Sequence, residues 1–146
     1  MLLCRGHNLI LGGREVQELQ SRLIKDLKKI GIKSEFKLRL RPYSKTYFGR
    51  YDPSSKEITL YVYMDSRCKR QYPYEQLLGT AIHEAVHCIQ WSDNNFVRIK
   101  GVMHNPEFHT LYNFYSGKAK ALQLLERIKY DTKLERNGSS FTAIYC

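Results

Sequence analysis

The residues of this chain whose types and spacing best suit chemistry are His83-Glu84-Ala85-Val86-His87. They lie inside an apolar run, Leu77 to Ile89, whose pattern predicts a helix. Residues four apart on a helix sit one turn above each other on the same face. Two imidazoles at that spacing can converge on one metal ion, and Glu84 between them can reach a water bound there and act as general base. That chemistry is metal-assisted hydrolysis. The competing reading is a coincidence of spacing, with two partly buried histidines packed beside a surface glutamate.

A catalytic zinc takes three protein ligands and leaves its fourth position for water. The metzincin pattern needs Gly at 90 and His at 93, and Gln90 and Asp93 exclude it. His104, Glu107, His109 and Asp93 remain as third-ligand candidates. His104 stands at the mouth of the next expected helix, which can bring it against the two-histidine face. Glu107 lies one turn further, a reach that thermolysin-type enzymes use for a glutamate ligand. His109, five positions after His104, turns well away from that face. His104 is the first choice and Glu107 its main competitor. Tyr112, His109 and Tyr115 are candidate donors to an oxyanion, although aromatic residues at helical spacing are more often core.

These groups need a scaffold, and the flanking chain predicts one. Val16, Leu19, Leu23, Leu27 and Ile30 recur every three or four residues, giving an amphipathic helix over 14–30. Lys25, Lys28 and Lys29 favour its C-terminal end, and Gly31 supplies the stop. Phe36, Leu38 and Leu40 then alternate with Lys37, Arg39 and Arg41, a strand with one buried and one basic face, ended by Pro42. Tyr47 to Tyr51, the turn Asp52-Pro53-Ser54-Ser55 and Glu57 to Met64 read as a hairpin joined to that strand in a small antiparallel sheet. In its second arm Ile58, Leu60, Val62 and Met64 face inward, with Thr59, Tyr61 and Tyr63 opposite. Pro73 and Glu75 suit the first turn of the helix carrying the histidines, and Trp91 to Lys100 reads as a loop. Asn105 and Pro106 open a further helix that carries Phe108, Leu111, Tyr112 and Tyr115 inward. Ser116-Gly117 can bend that helix before Ala121, Leu122, Leu125 and Ile128 continue it. The fold expected is α+β in one domain over 1–146, its core about 14–130, with residues 131–146 a polar tail that turns at Asn137-Gly138.

The charge adds a second line of inference. Twenty-four Lys and Arg against fourteen Asp and Glu give +10, a balance that favours polyanions, nucleic acid first. Lys37, Arg39, Arg41 and Lys45 are the candidate phosphate contacts, with nearby tyrosines able to stack on bases. An ordinary solvated strand face explains the same pattern. Cys4, Cys68, Cys88 and Cys146 form no Cys-x-x-Cys pair and are too scattered for a disulfide framework, which points to a reducing, cytoplasmic setting. No apolar run has the length of a signal peptide or a membrane span, so no membrane partner is expected. Cys4 and His7 lack a second ligand pair.

Three parts in order resemble the SprT-like metallopeptidases, the group that includes the Spartan and Wss1 proteases. Tyr47-Phe48-Gly49-Arg50-Tyr51 with Glu57-Ile58-Thr59-Leu60 is similar to the hairpin before that family's active-site helix. Leu77 to His87 is similar to the helix itself. His104-Asn105-Pro106-Glu107-Phe108 looks like the family's His-Gly-x-x-Phe segment, with Asn105 in place of Gly. The resemblance covers about residues 14–125. It implies a zincin-like fold, one catalytic zinc on His83, His87 and His104, Glu84 as catalyst, and protein substrates. Many relatives append DNA-binding or zinc-ribbon modules, and no cysteine quartet follows here. The expected activity is zinc-dependent endopeptidase cleavage, on proteins near or bound to DNA. The alternative is a non-catalytic, zinc-braced nucleic-acid-binding module.

Overall fold

The computed structural model describes residues 2–3, 9–11, 13–92 and 104–124. A short antiparallel pair, β1 (Leu2–Leu3) and β2 (Leu9–Leu11), precedes α1 (Gly13–Lys29). The α1 stripe forms as its spacing requires: Leu23, Leu27 and Ile30 are buried, with Val16 and Leu19 packed at the edge of the core. Its end is a Schellman turn. Gly31 takes the left-handed conformation (φ 97°), its N–H reaches Lys28 O at 3.0 Å, and Ile32 N reaches Leu27 O at 3.1 Å.

Three strands follow, β3 (Lys37–Arg41), β4 (Gly49–Asp52) and β5 (Glu57–Tyr61), in the order β3-β5-β4. The β4–β5 hairpin is antiparallel as expected, turned by Asp52, whose Oδ1 accepts from Ser54 N at 2.9 Å. β3, however, runs parallel to β5, with Leu38 opposite Ile58 and Leu40 opposite Leu60. The sheet is therefore mixed, not antiparallel throughout. The central place goes to the strand with a fully buried apolar pair, Ile58 and Leu60. The arginine-bearing β3 and β4 take the edges, where charge is tolerated. The connector 42–48, turned by Ser44 Oγ accepting from Thr46 N and Tyr47 N, is long enough to carry the chain from one edge of β5 to the other.

A second difference lies just past β5. The alternation puts Tyr63 beside Thr59 and Tyr61, but it is buried, because the ladder ends at Tyr61. There Val62 N turns to Arg41 O and Tyr63 N to Pro42 O, while Tyr63 bridges to Gln71.

Helix α2 (Tyr74–Ser92) crosses the inner face of the sheet. Every residue from Leu77 to Cys88 is buried, so the helix is enclosed on all sides. Pro73 directly precedes it, its carbonyl accepting from Gln76 N and Leu77 N, and the helix extends through Trp91 and Ser92, where the sequence predicts a loop. The rest of that loop lies outside the described residues. Helix α3 (Pro106–Ala121) opens on Asn105, whose side chain accepts from Phe108 N at 2.8 Å, with Pro106 as its first residue. It passes Ser116-Gly117 without a break and stops at Ala121, with Leu122 exposed. The continuation through Leu125 and Ile128 and the tail 131–146 lie outside the described residues, as do Cys4, His7 and Cys146.

No helix among the described residues is long and apolar enough to cross a membrane. Cys88 is free and buried, but Cys68 is disulfide-bonded, its partner lying outside the described residues. One bond is not a framework, yet it removes the support that the cysteine pattern lent to a reducing compartment.

Candidate metal centre

Helix periodicity and the docking of α3 on α2 assemble the site. His83 and His87 stand one turn apart on the α2 face that meets the start of α3. His104 directly precedes the Asn105 cap. The three imidazoles bring ring nitrogens within 4.8 Å of one another, a cluster that can hold a metal ion. His83 Nε2 and His104 Nε2 are 3.1 Å apart. Two ligand nitrogens about 2.0–2.1 Å from a tetrahedral zinc lie about 3.3 Å from each other, so the observed spacing fits such an ion.

Glu84 sits beside the cluster with no exposed surface, its Oε2 4.0 Å from His83 Nε2. Neither carboxylate oxygen has a hydrogen-bond partner among the described residues. Burial raises its pKa well above the ordinary glutamate value, and the positive charge of Arg50 opposes that rise. A buried carboxylate left unbonded by its own protein is costly unless a ligand or water completes it. This is an independent indication that the centre is built to hold something polar.

Phe108 forms the apolar wall. Its ring centroid lies 4.7 Å from each of the three imidazole centroids, and it is buried. Tyr112 lies parallel to Phe108 with centroids 6.1 Å apart, and its ring is 5.8 Å from His83. His109 is exposed, its ring edge-on to Phe108 at 5.7 Å. Glu107 is exposed and outside the three-histidine cluster. Its carboxylate accepts from Gln90 Nε2 at 3.2 Å. Asp93 lies outside the described residues.

Lys37, Arg39 and Arg41 fall on the other face of the sheet, and Lys45 lies in the connector 42–48. Lys37, Arg39, Arg41 and Lys45 are exposed. Arg39 and Arg41 join Arg50 and Tyr61 in lining a groove of about 480 Å³, together with Asp52 and Glu57. Lys37 and Lys45 do not line it. Arg39 Nε is 3.6 Å from Glu57 Oε1, so part of the positive charge is already answered.

Three features escape sequence reasoning. Phe108 is expected inward, but its place against all three imidazoles is not; the four-residue step from His104 is the available signal. Arg50 reads only as part of the hairpin, because its influence on Glu84 crosses between elements. Gln90 stands out only as a departure from another pattern, although it lies three residues from His87.

The fold and site together define an α+β chain with a three-histidine centre able to bind a metal ion. No family model matches the sequence, and no curated protein matches it. Among solved structures, the chain is similar to a crystal structure of a Wss1 mutant from S. pombe. That likeness has a TM-score of 0.49 at 18% identity, over 82% of this chain and 95% of that one.

Proposed function

We propose that this chain is a zinc-dependent endopeptidase. The observation that carries the reading is the convergence of His83, His87 and His104 beside the buried, unbonded carboxylate of Glu84. Those three histidines would hold the ion, and an all-imidazole set suits zinc. Bound zinc would polarise the scissile carbonyl and lower the pKa of water. Glu84 then takes the proton from the attacking water and passes it to the leaving amine as the C–N bond breaks. Phe108 keeps bulk water from one side of the imidazoles. Tyr112, near His83, is the better-placed donor for the oxyanion; the exposed His109 is the weaker one.

Glu84→Gln tests this directly. The variant should keep its zinc by elemental analysis and lose hydrolysis of an unfolded casein substrate. Turnover near the wild-type level in a zinc-loaded Glu84→Gln protein would refute the role given to Glu84. Zinc binding without hydrolysis in the wild type would favour the zinc-braced, non-catalytic module.

A finer reading is that the substrates are proteins held near nucleic acid. The shared groove of Arg39, Arg41, Arg50 and Tyr61 favours it. Affinity for single-stranded DNA, read by fluorescence anisotropy, should fall steeply as salt rises. Arg39→Ala/Arg41→Ala should flatten that slope by about one unit for each phosphate no longer neutralised. Absence of binding at low salt ends this reading and leaves the peptidase untouched.

A further inference from the structure

Gln90 is buried at 2% exposure, yet it carries a carboxamide that must be satisfied. Its Nε2 donates to Asn105 Oδ1 at 3.1 Å and to Glu107 Oε1 at 3.2 Å. Both partners are acceptors there, because Asn105 Oδ1 also accepts from Phe108 N as the cap of α3. The orientation of the Gln90 amide is therefore fixed by its surroundings.

The location gives this contact its meaning. Gln90 lies one turn beyond His87 on α2, and Asn105 is bonded covalently to His104. The site draws two nitrogens from α2 and one from the residue preceding the α3 cap, and residues 93–103 separate those elements in sequence. Three donors bind an ion tightly only when held within about half an ångström of their productive positions. Apolar packing through Phe108 brings the elements together, but it is weakly directional. The forked donor of Gln90 fixes the start of α3 against α2 with direction as well as distance.

We infer that Gln90 is the positioning residue that holds His104 in register with His83 and His87, setting the affinity of the centre for its metal. The inference rests on the zinc-site reading above and adds a residue to it. Methionine at 90 matches the shape of glutamine but donates no hydrogen bond, so it isolates the polar tie from packing.

The test compares wild type and Gln90→Met by competition with a chromogenic chelator for zinc, and by the visible spectrum of each protein loaded with Co²⁺. Gln90→Met should keep the far-ultraviolet circular dichroism of the wild type, lose about 10–100-fold in zinc affinity, and show a changed Co²⁺ band. A merely structural role would lower the melting temperature and leave affinity and band unchanged. That result overturns the inference. If Gln90→Met does not fold, Asn105→Ser/Glu107→Ala removes both acceptors and keeps a good helix cap; the same loss is expected, and wild-type affinity overturns the inference. Zinc binding lost in Gln90→Met while neither protein cleaves peptides supports Gln90 and sinks only the peptidase. A wild type that binds no zinc or Co²⁺ overturns both.

Discussion

Gly49 and Thr80 are so close that a methyl group at position 49 would lie 2.7 Å from Thr80 Cγ2. This approach sets how near α2 comes to the sheet, three residues before His83. Thr59 O and Leu60 Cδ2, at 3.0 and 3.1 Å, close the remaining space. Gly49→Ala should destabilise the protein by about 1–3 kcal/mol, the usual range for overpacking. Thr80→Ser removes the offending methyl group and should recover part of that loss in the double variant. Chemical denaturation of the four proteins in the cycle measures it, and strict additivity would show that this approach is not the limiting one.

The three-histidine cluster gives a second prediction. His104→Ala should lose most bound zinc, while His109→Ala should keep it, because His109 is exposed and outside the cluster. Elemental analysis of proteins purified without chelator checks both. Equal zinc in His104→Ala and wild type would shift the third ligand elsewhere, with Glu107 the next residue to substitute.

Glu84 gives a prediction for the metal-free protein. Its folded pKa is raised by burial, so the folded state binds the proton more tightly than the unfolded chain. That contribution is present below the ordinary value of 4.5 and is lost as pH rises above it. In chelator at neutral pH, Glu84→Gln should therefore melt above wild type. Each kcal/mol relieved corresponds to roughly 2–4 °C in a chain of this size. The gap should shrink towards pH 4, and a gap that is constant with pH would contradict the burial effect.

At the other end of α2, Tyr74 donates to the buried Asp26 Oδ2 at 2.5 Å, and the Arg22 guanidinium lies 3.5 Å from the centre of its ring. Burial first, then the Asp26 carboxylate, raises the tyrosine pKa above 10.0. The folded state thus keeps a proton that the unfolded chain releases, and stability should decline as pH rises past about 10. Tyr74→Phe should cost about 1–3 kcal/mol at neutral pH by leaving Asp26 without its donor, and should flatten the alkaline decline. A thermal melt series from pH 7 to 11 reads both effects.

Much of this architecture is legible in the sequence because local rules and tertiary packing agree there. The Val16-to-Ile30 stripe, the Gly31 stop, the Asn105-Pro106 cap and the paired histidines each answer to neighbours within a few residues. The parallel pairing of β3 with β5 is not legible, since pairing across 20 positions depends on which strand needs burial on both flanks. Tyr63 is misplaced for a related reason: the period of two does not continue past Tyr61, where the ladder ends. Gln90 and Arg50 act across elements, and a spacing rule written for one helix cannot see them.

The enclosure of α2 has a dynamic consequence. Amide hydrogens along Leu77–Cys88 have buried side chains on every side and should exchange with solvent only when the whole fold opens. His104 lies outside that enclosure, half-buried and ahead of the first turn of α3. Two-thirds of the cluster thus belongs to the slowest-breathing part of the molecule and one-third to a more easily released one. Ion capture and loss should follow excursions of the His104 segment, while the helix holding its two partners stays still.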